Sequence, residues 1–471
     1  MDDEYSQNPR FIKLQEELHY VLFTSTSNVS SPIGHWQESD GSILHGDRDG
    51  GDSGGVQHRQ STEDEGEFDF SRVPLVPQIS LINYLHNWIH QPAPLLDNFD
   101  EERHFRIEVP RLARRSPTLL YAILAVSACQ MERKSATRKG SDSLLLYQES
   151  IRLLASSLPA RDRDPAILVT ACILAVLELS SGQPRNWKRH IEGCASLFSM
   201  FSVHGFSGGL LQAVFWCFPR MELCGVLLSE GTETTVMPLH KWVPITDAPS
   251  PLGSLGAGED VVTSLFLQCA LQSPGMCANW VVYLCARACD LLYRQTQQPE
   301  LHATPNDRNG ALSFAEQWQQ LWDTLQQWFE SRPPALQPVQ RVAADDLPPF
   351  PTIVFHHFAA ISSTEAYHTA CIVMLEMRPS DAVTTGPYNV PSWHARRICG
   401  ISRSNPNLAN LANSIQPLYL AGKLLSHPSE QIAIARILKY IEKASGWGAL
   451  WRLNDLERIW GYEPGEIMNA V

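Results

Sequence analysis

Apolar residues recur at helical spacing through most of the chain after Pro74, and the alternating runs typical of strands are rare. Ser116 suits a helix N-cap, and Pro117 suits the first turn that follows it. The apolar residues behind them share one helical face: Leu119, Leu120, Ile123 and Leu124. This stretch is therefore predicted to be a helix that packs against a core.

Boundaries of the same kind recur along the chain. Asp164 and Pro165 precede residues 167–179, which are apolar on nearly all sides, as is typical of a central buried helix. Ser313 and Glu316 have the spacing of a capping box. No Asn-Gly hairpin signal joins alternating runs. The pattern predicts an all-α, multi-helical protein.

The same pattern divides the chain into regions. Residues 1–75 are predicted to form a mostly disordered acidic region, because 25–72 are rich in Ser, Gly, Asp and Glu. Within it, the apolar stretch 11–23 predicts one or two helical turns with little to anchor them. Residues 76–471 are predicted to form the helical domain. A loop-rich interval near 230–260 marks either a boundary between two packed helical halves or a long crossover.

Composition and charge narrow the class of protein. The 471 residues are 44% hydrophobic, which is enough for a sizeable core, and the eleven cysteines have no regular spacing. With no apolar leader or bilayer-length apolar run, we expect reduced thiols and neither secretion nor membrane insertion. The first 70 residues hold 15 acidic and 4 basic side chains, which leaves 35 acidic and 33 basic for the rest. Broad contact with a phosphate backbone is therefore not expected.

Two short motifs suggest catalysis and are better explained as loops. Residues 51–55 spell Gly-Asp-Ser-Gly-Gly, as around the serine nucleophile of chymotrypsin-like proteases. That chemistry needs a histidine and an aspartate carried by two β-barrels, and only 52 residues, acidic and predicted to be structureless, precede Ser53. Asp345 and Asp346 suggest the magnesium-binding carboxylates of an all-α terpene cyclase. Pro348 and Pro349 stand where the next carboxylate is expected, so a solvated loop is favoured.

The sequence evidence for a metal site is also weak. Glu365 and His368 have the spacing used in di-iron bundles, which need a second pair and two more glutamates. The other pairs with this spacing are Glu16 with His19 and Glu101 with His104. The first of these lies in the poorly anchored N-terminal stretch, and the second has no apolar face around it. We interpret Glu365 and His368 as partly exposed helix residues.

The cysteines and glycines predict no cofactor site. The pairs Cys285 with Cys289 and Cys217 with Cys224 each share a helical face, but no Cys-x-x-Cys occurs, so they are interpreted as small buried hydrophobes. The segment 256–258, Gly-x-Gly, lacks the third glycine of a dinucleotide loop. The sequence therefore predicts a protein that is not an enzyme. It assigns no catalytic, metal or DNA-binding residue and no cofactor, and it leaves ligand binding open.

Several segments together resemble a known family. They are residues 81–88, 105–113, 116–125, 186–194, 209–218 and 446–461. In order and number they resemble the fungal-specific transcription factor regulatory domain, which lies downstream of zinc binuclear cluster DNA-binding domains. The resemblance runs from about residue 76 to the end.

The resemblance implies an all-helical regulatory domain of a nuclear transcription regulator, with no catalytic residues. Its partners would be other transcription regulators or a DNA-binding partner, a second copy in a homodimer, or a small-molecule effector, and not a membrane. Matched tryptophans are predicted to anchor the core: Trp88, Trp187, Trp216 and Trp451. Matched arginines are predicted to serve at helix ends or in buried ion pairs and not on DNA: Arg106, Arg111, Arg189 and Arg220.

Two departures from the family stand out. The zinc cluster needs six cysteines beginning Cys-x-x-Cys, whereas the first cysteine here is Cys129, inside the helical region. The zinc cluster is therefore absent from this sequence, and the sequence does not support direct DNA binding. Pro219 is predicted to kink or end the helix that holds Trp216.

Two further segments bear on transcription. Residues 65–70, with Phe68 and Phe70, suit a weak activation motif, but a plain solvated linker is favoured. Residues 111–115 and 133–139 are weak basic signals for nuclear import. The alternative to a transcription regulator is a soluble helical scaffold or small-molecule-binding protein with no promoter role.

Overall fold

The computed structural model describes most of the chain. The described residues are 8–27, 68, 70, 73, 76–135, 142–158, 164–180, 187–244, 255–297, 312–344, 349–384 and 386–470. Nearly all secondary structure in this part is α-helical, so the predicted all-α class is confirmed. In the described residues, no helix combines the length and the apolar composition needed to cross a bilayer.

The helices follow one another with short connections. In the first half they are α1 (Pro9–Ser27), α2 (Gln78–His90), α3 (Pro92–Leu96), α4 (His104–Ala113), α5 (Pro117–Lys134), α6 (Asp142–Ser157), α7 (Pro165–Ser180), α8 (Trp187–Phe201) and α9 (Gly209–Val226). In the second half they are α10 (Leu255–Ala270), α11 (Pro274–Gln297), α12 (Phe314–Ser331), α13 (Phe358–Glu376), α14 (Pro391–Ser404), α15 (Leu408–Leu411), α16 (Ile415–Lys423), α17 (Pro428–Ser445), α18 (Leu450–Trp460) and α19 (Glu466–Ala470).

Short elements complete the fold. Single 3₁₀ turns are Asp97–Phe99, Leu239–Lys241, Pro334–Leu336 and Gly386–Asn389. Strands β1 (Gln340–Val342) and β2 (Thr352–Val354) form an antiparallel pair in which Gln340 lies opposite Val354. The side-chain amide of Asn405 donates to the Ile353 carbonyl at 2.8 Å, which fixes the pair against α14.

The helix boundaries agree with the capping chemistry of the sequence. The Ser116 hydroxyl accepts from the Leu119 N–H at the start of α5, and Ser313 with Glu316 forms the capping box of α12. Helix α17 ends at Gly446, whose φ of 74° is the left-handed conformation that glycine adopts without strain. The side chains of Ser116, Ser313 and Glu316 bond to backbone groups that a helix end otherwise leaves unpaired.

The core has two apolar clusters. In the larger one, α5 packs on α6 and α7, and α11 packs on α13. Helix α7 is buried on all sides between Ala166 and Glu178, as its apolar sequence predicts. The smaller cluster is formed by residues from Phe350 to Ile467. Helices α13 and α14 contribute side chains to both clusters.

The N-terminal helix corrects the sequence analysis. Helix α1 has 19 residues, and its apolar face is fully engaged: Phe11, Leu14, Leu18 and Leu22 are buried. It packs on α8 and α6. The prediction of one or two poorly anchored turns is therefore wrong. The stretch lies in an acidic region but has a regular apolar face. Packing of that face on the core stabilises the helix, because helix propensity by itself is not enough to do so. Residues 28–67 lie outside the described residues.

Of the two outcomes predicted for Pro219, a kink or an end of the helix, the structure excludes the end. Helix α9 does not end at Pro219 but continues to Val226. The cost of an internal proline is about 3 kcal/mol. The neighbouring Phe215 and Phe218 are completely buried in the larger cluster, and burying two aromatic side chains offsets that cost.

Gly193 in α8 sets how closely α1 can approach. A Cβ at Gly193 would lie 2.6 Å from the Cβ of Leu22, an atom that cannot move without its helix. We therefore expect Gly193→Val to displace α1, and amide hydrogen exchange of residues 9–27 to quicken while α5 stays protected. Ser199→Val, at an exposed position of the same helix, is the matched control. Equal protection of α1 in both variants would contradict the described packing.

Candidate functional site

One carboxylate lies at the centre of a fully buried polar cluster. Glu178 is the single charged residue of α7, and its side chain is completely inaccessible to solvent. The Tyr147 hydroxyl donates to Glu178 Oε1 at 2.7 Å. His190 Nδ1 lies 3.0 Å from the same oxygen, and His19 Nε2 lies 3.3 Å from Glu178 Oε2. The cluster therefore joins α1, α6 and α8 to the central helix.

The hydrogen bonds of His190 define its charge. Its Nε2 lies 2.9 Å from the Ala171 carbonyl oxygen, which can only accept, so Nε2 carries a proton. Its Nδ1 faces the Glu178 carboxylate and also donates. An imidazole with both nitrogens donating is a cation, and Glu178 with His190 is therefore a buried ion pair.

The pKa values of the two partners move in opposite directions. Burial by itself raises the pKa of Glu178, but the charge of His190 and the hydrogen bonds from His19 and His190 outweigh it and lower the pKa to about 2. Burial by itself lowers the pKa of His190, but the Glu178 carboxylate outweighs it and raises the pKa to about 10. Both groups are therefore ionised near neutral pH.

Two thiols lie next to this ion pair. Cys194 contacts His190, and it also contacts Cys172. Burial by itself raises the pKa of the Cys194 thiol, but the bond with Cys172 and the charge of His190 lower the pKa to about 6. Both thiols are completely buried, so they contact the cluster and not solvent.

Sequence reasoning did not find this cluster. Spacing pairs His19 only with Glu16, and neither Glu178 nor His190 belongs to a sequence motif that predicts a site. One signal was present, because Glu178 is an isolated charge in an otherwise apolar helix, and such a charge needs a partner when it is buried. The identity of the partners was not available, since they come from helices far away in the sequence.

Glu365 and His368 lie in a second buried cluster. Glu365 accepts from the hydroxyls of Ser402 and Ser414, each at 2.7 Å, and His368 Nδ1 lies 2.9 Å from His394 Nδ1. Both residues are only 1% exposed, so their interpretation as partly exposed is wrong. Helix α13 is covered by α11, α12 and α14, which leaves it no solvent face at this level. Burial raises the pKa of Glu365 to about 7.

The remaining pair, Glu101 and His104, has capping roles. Glu101 accepts from the Gly275 N–H at 3.2 Å at the start of α11, and His104 Nδ1 lies 2.9 Å from Asp100 Oδ2. Gly256 lies within α10, so it is not part of a phosphate loop. Other motifs considered in the sequence lie outside the described residues: 51–55 with Ser53, and Asp345 with Asp346.

Three of the four cysteines that share helical faces agree with their sequence interpretation as buried hydrophobes, and Cys224 does not. All eleven lie in the described part of the chain as free thiols. Nine are buried, including Cys217, Cys285 and Cys289, whereas Cys224 and Cys269 are half-buried. Their role is therefore mainly packing.

The matched aromatic and basic residues have varied roles. Trp88 and Trp216 are buried as predicted, and Trp451 is half-buried. The side chain of Trp187 is not among those that the structure describes. Arg220 donates to the carbonyls of Leu96 and Trp216, and among the described residues it forms no ion pair. Of the other three matched arginines, Arg106 is half-buried, Arg189 is exposed, and Arg111 is exposed and pairs weakly with Glu108.

Phe68 and Phe70 pack on the domain. Their rings stack with centroids 5.8 Å apart, and both side chains lie half-buried against the larger cluster. The guanidinium carbon of Arg114 lies 5.5 Å from the Phe68 ring centroid. For these two side chains the interpretation as a plain solvated linker is wrong, because apolar burial and a cation–π contact hold them.

Arg133, in the basic segment 133–139, donates to the Gly446 carbonyl at 2.7 Å.

A surface groove of about 680 Å³ lies against α12. Its lining includes four carboxylates and two aromatic side chains: Glu316, Asp323, Glu330, Asp381, Trp322 and Tyr388. Its volume is in the range of small-molecule sites.

Comparison with known proteins places the cluster in a family region. Residues 83–214 match the family described as fungal specific transcription factor domain. The resemblance to this family found in the sequence is confirmed over these residues. The matched stretch includes Glu178 and His190, whereas His19 lies before it. The ion pair therefore belongs to the family region, and α1 adds a second histidine to it.

One curated relative is named transcription activator AMTR1, from Alternaria alternata. It is 22% identical over 338 residues, which cover 62% of this chain and 44% of the relative. This chain thus spans less than half the length of the relative that it matches. No solved structure gives a significant match. The family region and the relative both point to transcription regulation.

Proposed function

We propose that this protein is a nuclear transcription regulator of the fungal type, which controls target-gene expression through its helical domain and without catalysis. The observation that carries the proposal is the family match over residues 83–214. This stretch forms the part of the fold around α5 and α7. The transcription activator relative supports the same role.

The chemistry of the domain favours protein contacts over DNA contacts. After residue 70 the chain is nearly neutral, with 33 basic and 35 acidic residues. Arg220 and Arg133 are engaged with backbone carbonyls of the domain itself. We therefore propose that promoter binding comes through other transcription regulators or a DNA-binding partner, with a homodimer and a small-molecule effector as further proposed interactions.

Tethering tests the function without depending on a DNA-binding partner. The full chain is fused to an unrelated DNA-binding domain and brought to a reporter promoter in fungal cells. We expect reporter transcription to differ from that given by the DNA-binding domain alone, and Trp88→Ala to remove the difference by unfolding the helical domain. Unchanged transcription with the folded, expressed fusion would contradict the proposal.

The groove of about 680 Å³ favours a second candidate function, a helical scaffold or small-molecule-binding protein without a promoter role. Chromatin immunoprecipitation of the native protein separates the two. Enrichment at specific promoters supports the regulator. Absence of enrichment together with a silent tethered fusion supports the scaffold.

A further inference from the structure

We propose that His19, Glu178 and His190 bind one divalent transition-metal ion, with zinc as the best match to the donors. The proposal is independent of the role in transcription. Two imidazole nitrogens and a carboxylate oxygen are common zinc ligands. The three ligating atoms all lie within 4.8 Å of one another.

The distances suit a shared ion. Two donors that are each about 2.1 Å from a tetrahedral zinc ion lie about 3.4 Å apart. Here the carboxylate oxygens of Glu178 lie 3.0 Å from His190 Nδ1 and 3.3 Å from His19 Nε2. Only small movements are therefore needed to replace the bridging protons by a metal ion.

The outer contacts hold the donors in the required orientation. The Ala171 carbonyl accepts from His190 Nε2 at 2.9 Å, which turns Nδ1 towards Glu178. Histidines that bind metals commonly donate their second nitrogen to a carbonyl in this way. The Tyr147 hydroxyl orients the carboxylate by donating to Oε1. The side chains are thus positioned before any ion binds.

Burial decides between kinds of metal centre. A two-histidine, one-carboxylate set also binds iron in oxygenases, but those centres keep open positions for substrate. The side chains of Glu178 and His190 are completely inaccessible to solvent. A structural ion held by protein donors fits this burial.

The exchange balances in charge and protons. In the metal-free form His190 is a cation and Glu178 an anion. Zinc binding releases the Nδ1 proton of His190, and His19 keeps one proton on Nδ1. The ion with two positive charges then meets the Glu178 carboxylate and two neutral imidazoles, so one proton leaves and the site gains one positive charge. The ion would join α1 to α7 and α8.

Metal content of the purified protein tests the proposal. The untagged full chain is dialysed against metal-free buffer with a weak chelator, and zinc is measured by inductively coupled plasma mass spectrometry. We expect one zinc ion per chain. His19→Gln should lose it, and His19→Cys, which restores a zinc ligand, should retain it. Cobalt in place of zinc should give visible absorption bands, and His19→Gln should remove them.

The matched control addresses adventitious metal. His86 and His90 are exposed on α2 with ring centroids 4.4 Å apart, so they can bind metal weakly at the surface. His86→Gln with His90→Gln should leave the tightly bound zinc unchanged. Zinc that disappears in this variant, or a wild-type zinc content no higher than that of His19→Gln, would overturn the proposal and leave an ion pair without a metal. Circular dichroism confirms that each variant is folded.

Discussion

Glu178→Ala is expected to lower the free energy of unfolding by about 3 to 5 kcal/mol, the range found when one partner of a buried ion pair is removed. The variant leaves the His190 imidazolium buried without its carboxylate, and the Tyr147 hydroxyl loses its acceptor. His19 also loses its contact with α7. Urea denaturation followed by circular dichroism measures the change.

An exposed ion pair provides the control for Glu178. Glu233 pairs with Lys188 at 2.7 Å, and both side chains are about half exposed. Glu233→Ala should therefore change the free energy of unfolding by no more than about 1 kcal/mol, because water screens and replaces such a pair. Equal effects of the two substitutions would show that the Glu178 cluster is not buried as described.

Trp88→Ala is expected to cost about 3 to 5 kcal/mol of unfolding free energy, as for large aromatic side chains removed from a core. Trp88 on α2 is completely buried, and its Nε1 donates to the Phe105 carbonyl at 3.1 Å. The substitution leaves a cavity and removes a hydrogen bond to a buried carbonyl, and both destabilise the folded state. The same denaturation experiment measures the loss.

Trp451→Ala is the matched control for Trp88. Trp451 is half-buried near the start of α18, and its Nε1 donates to the nearby Gly448 carbonyl. We expect a loss of about 1 kcal/mol, because less apolar surface returns to water and solvent can reach the freed carbonyl. A loss as large as that of Trp88→Ala would mean that the two tryptophans anchor the core equally.

Local signals gave the fold class and many boundaries. Ser116, Ser313 and Gly446 mark helix ends through hydrogen bonds to neighbouring backbone, so their effect is contained in a few consecutive residues. The full length of helix α1 and the continuation of α9 beyond Pro219 did not follow from local signals. In both, packing against distant helices outweighs a local preference against the helix.

The sequence by itself determined that the chain is helical, where its caps lie, and which family its segments resemble, because periodicity and capping act between residues a few positions apart. Only the tertiary structure decided that His19, Glu178 and His190 meet, and that Glu365 and His368 are buried. Glu178 and His19 are 159 positions apart, so their contact depends on how α1 docks on α7 and α8. A helical pattern shows which face is apolar, but the choice of partner follows from the shape and packing of the whole core.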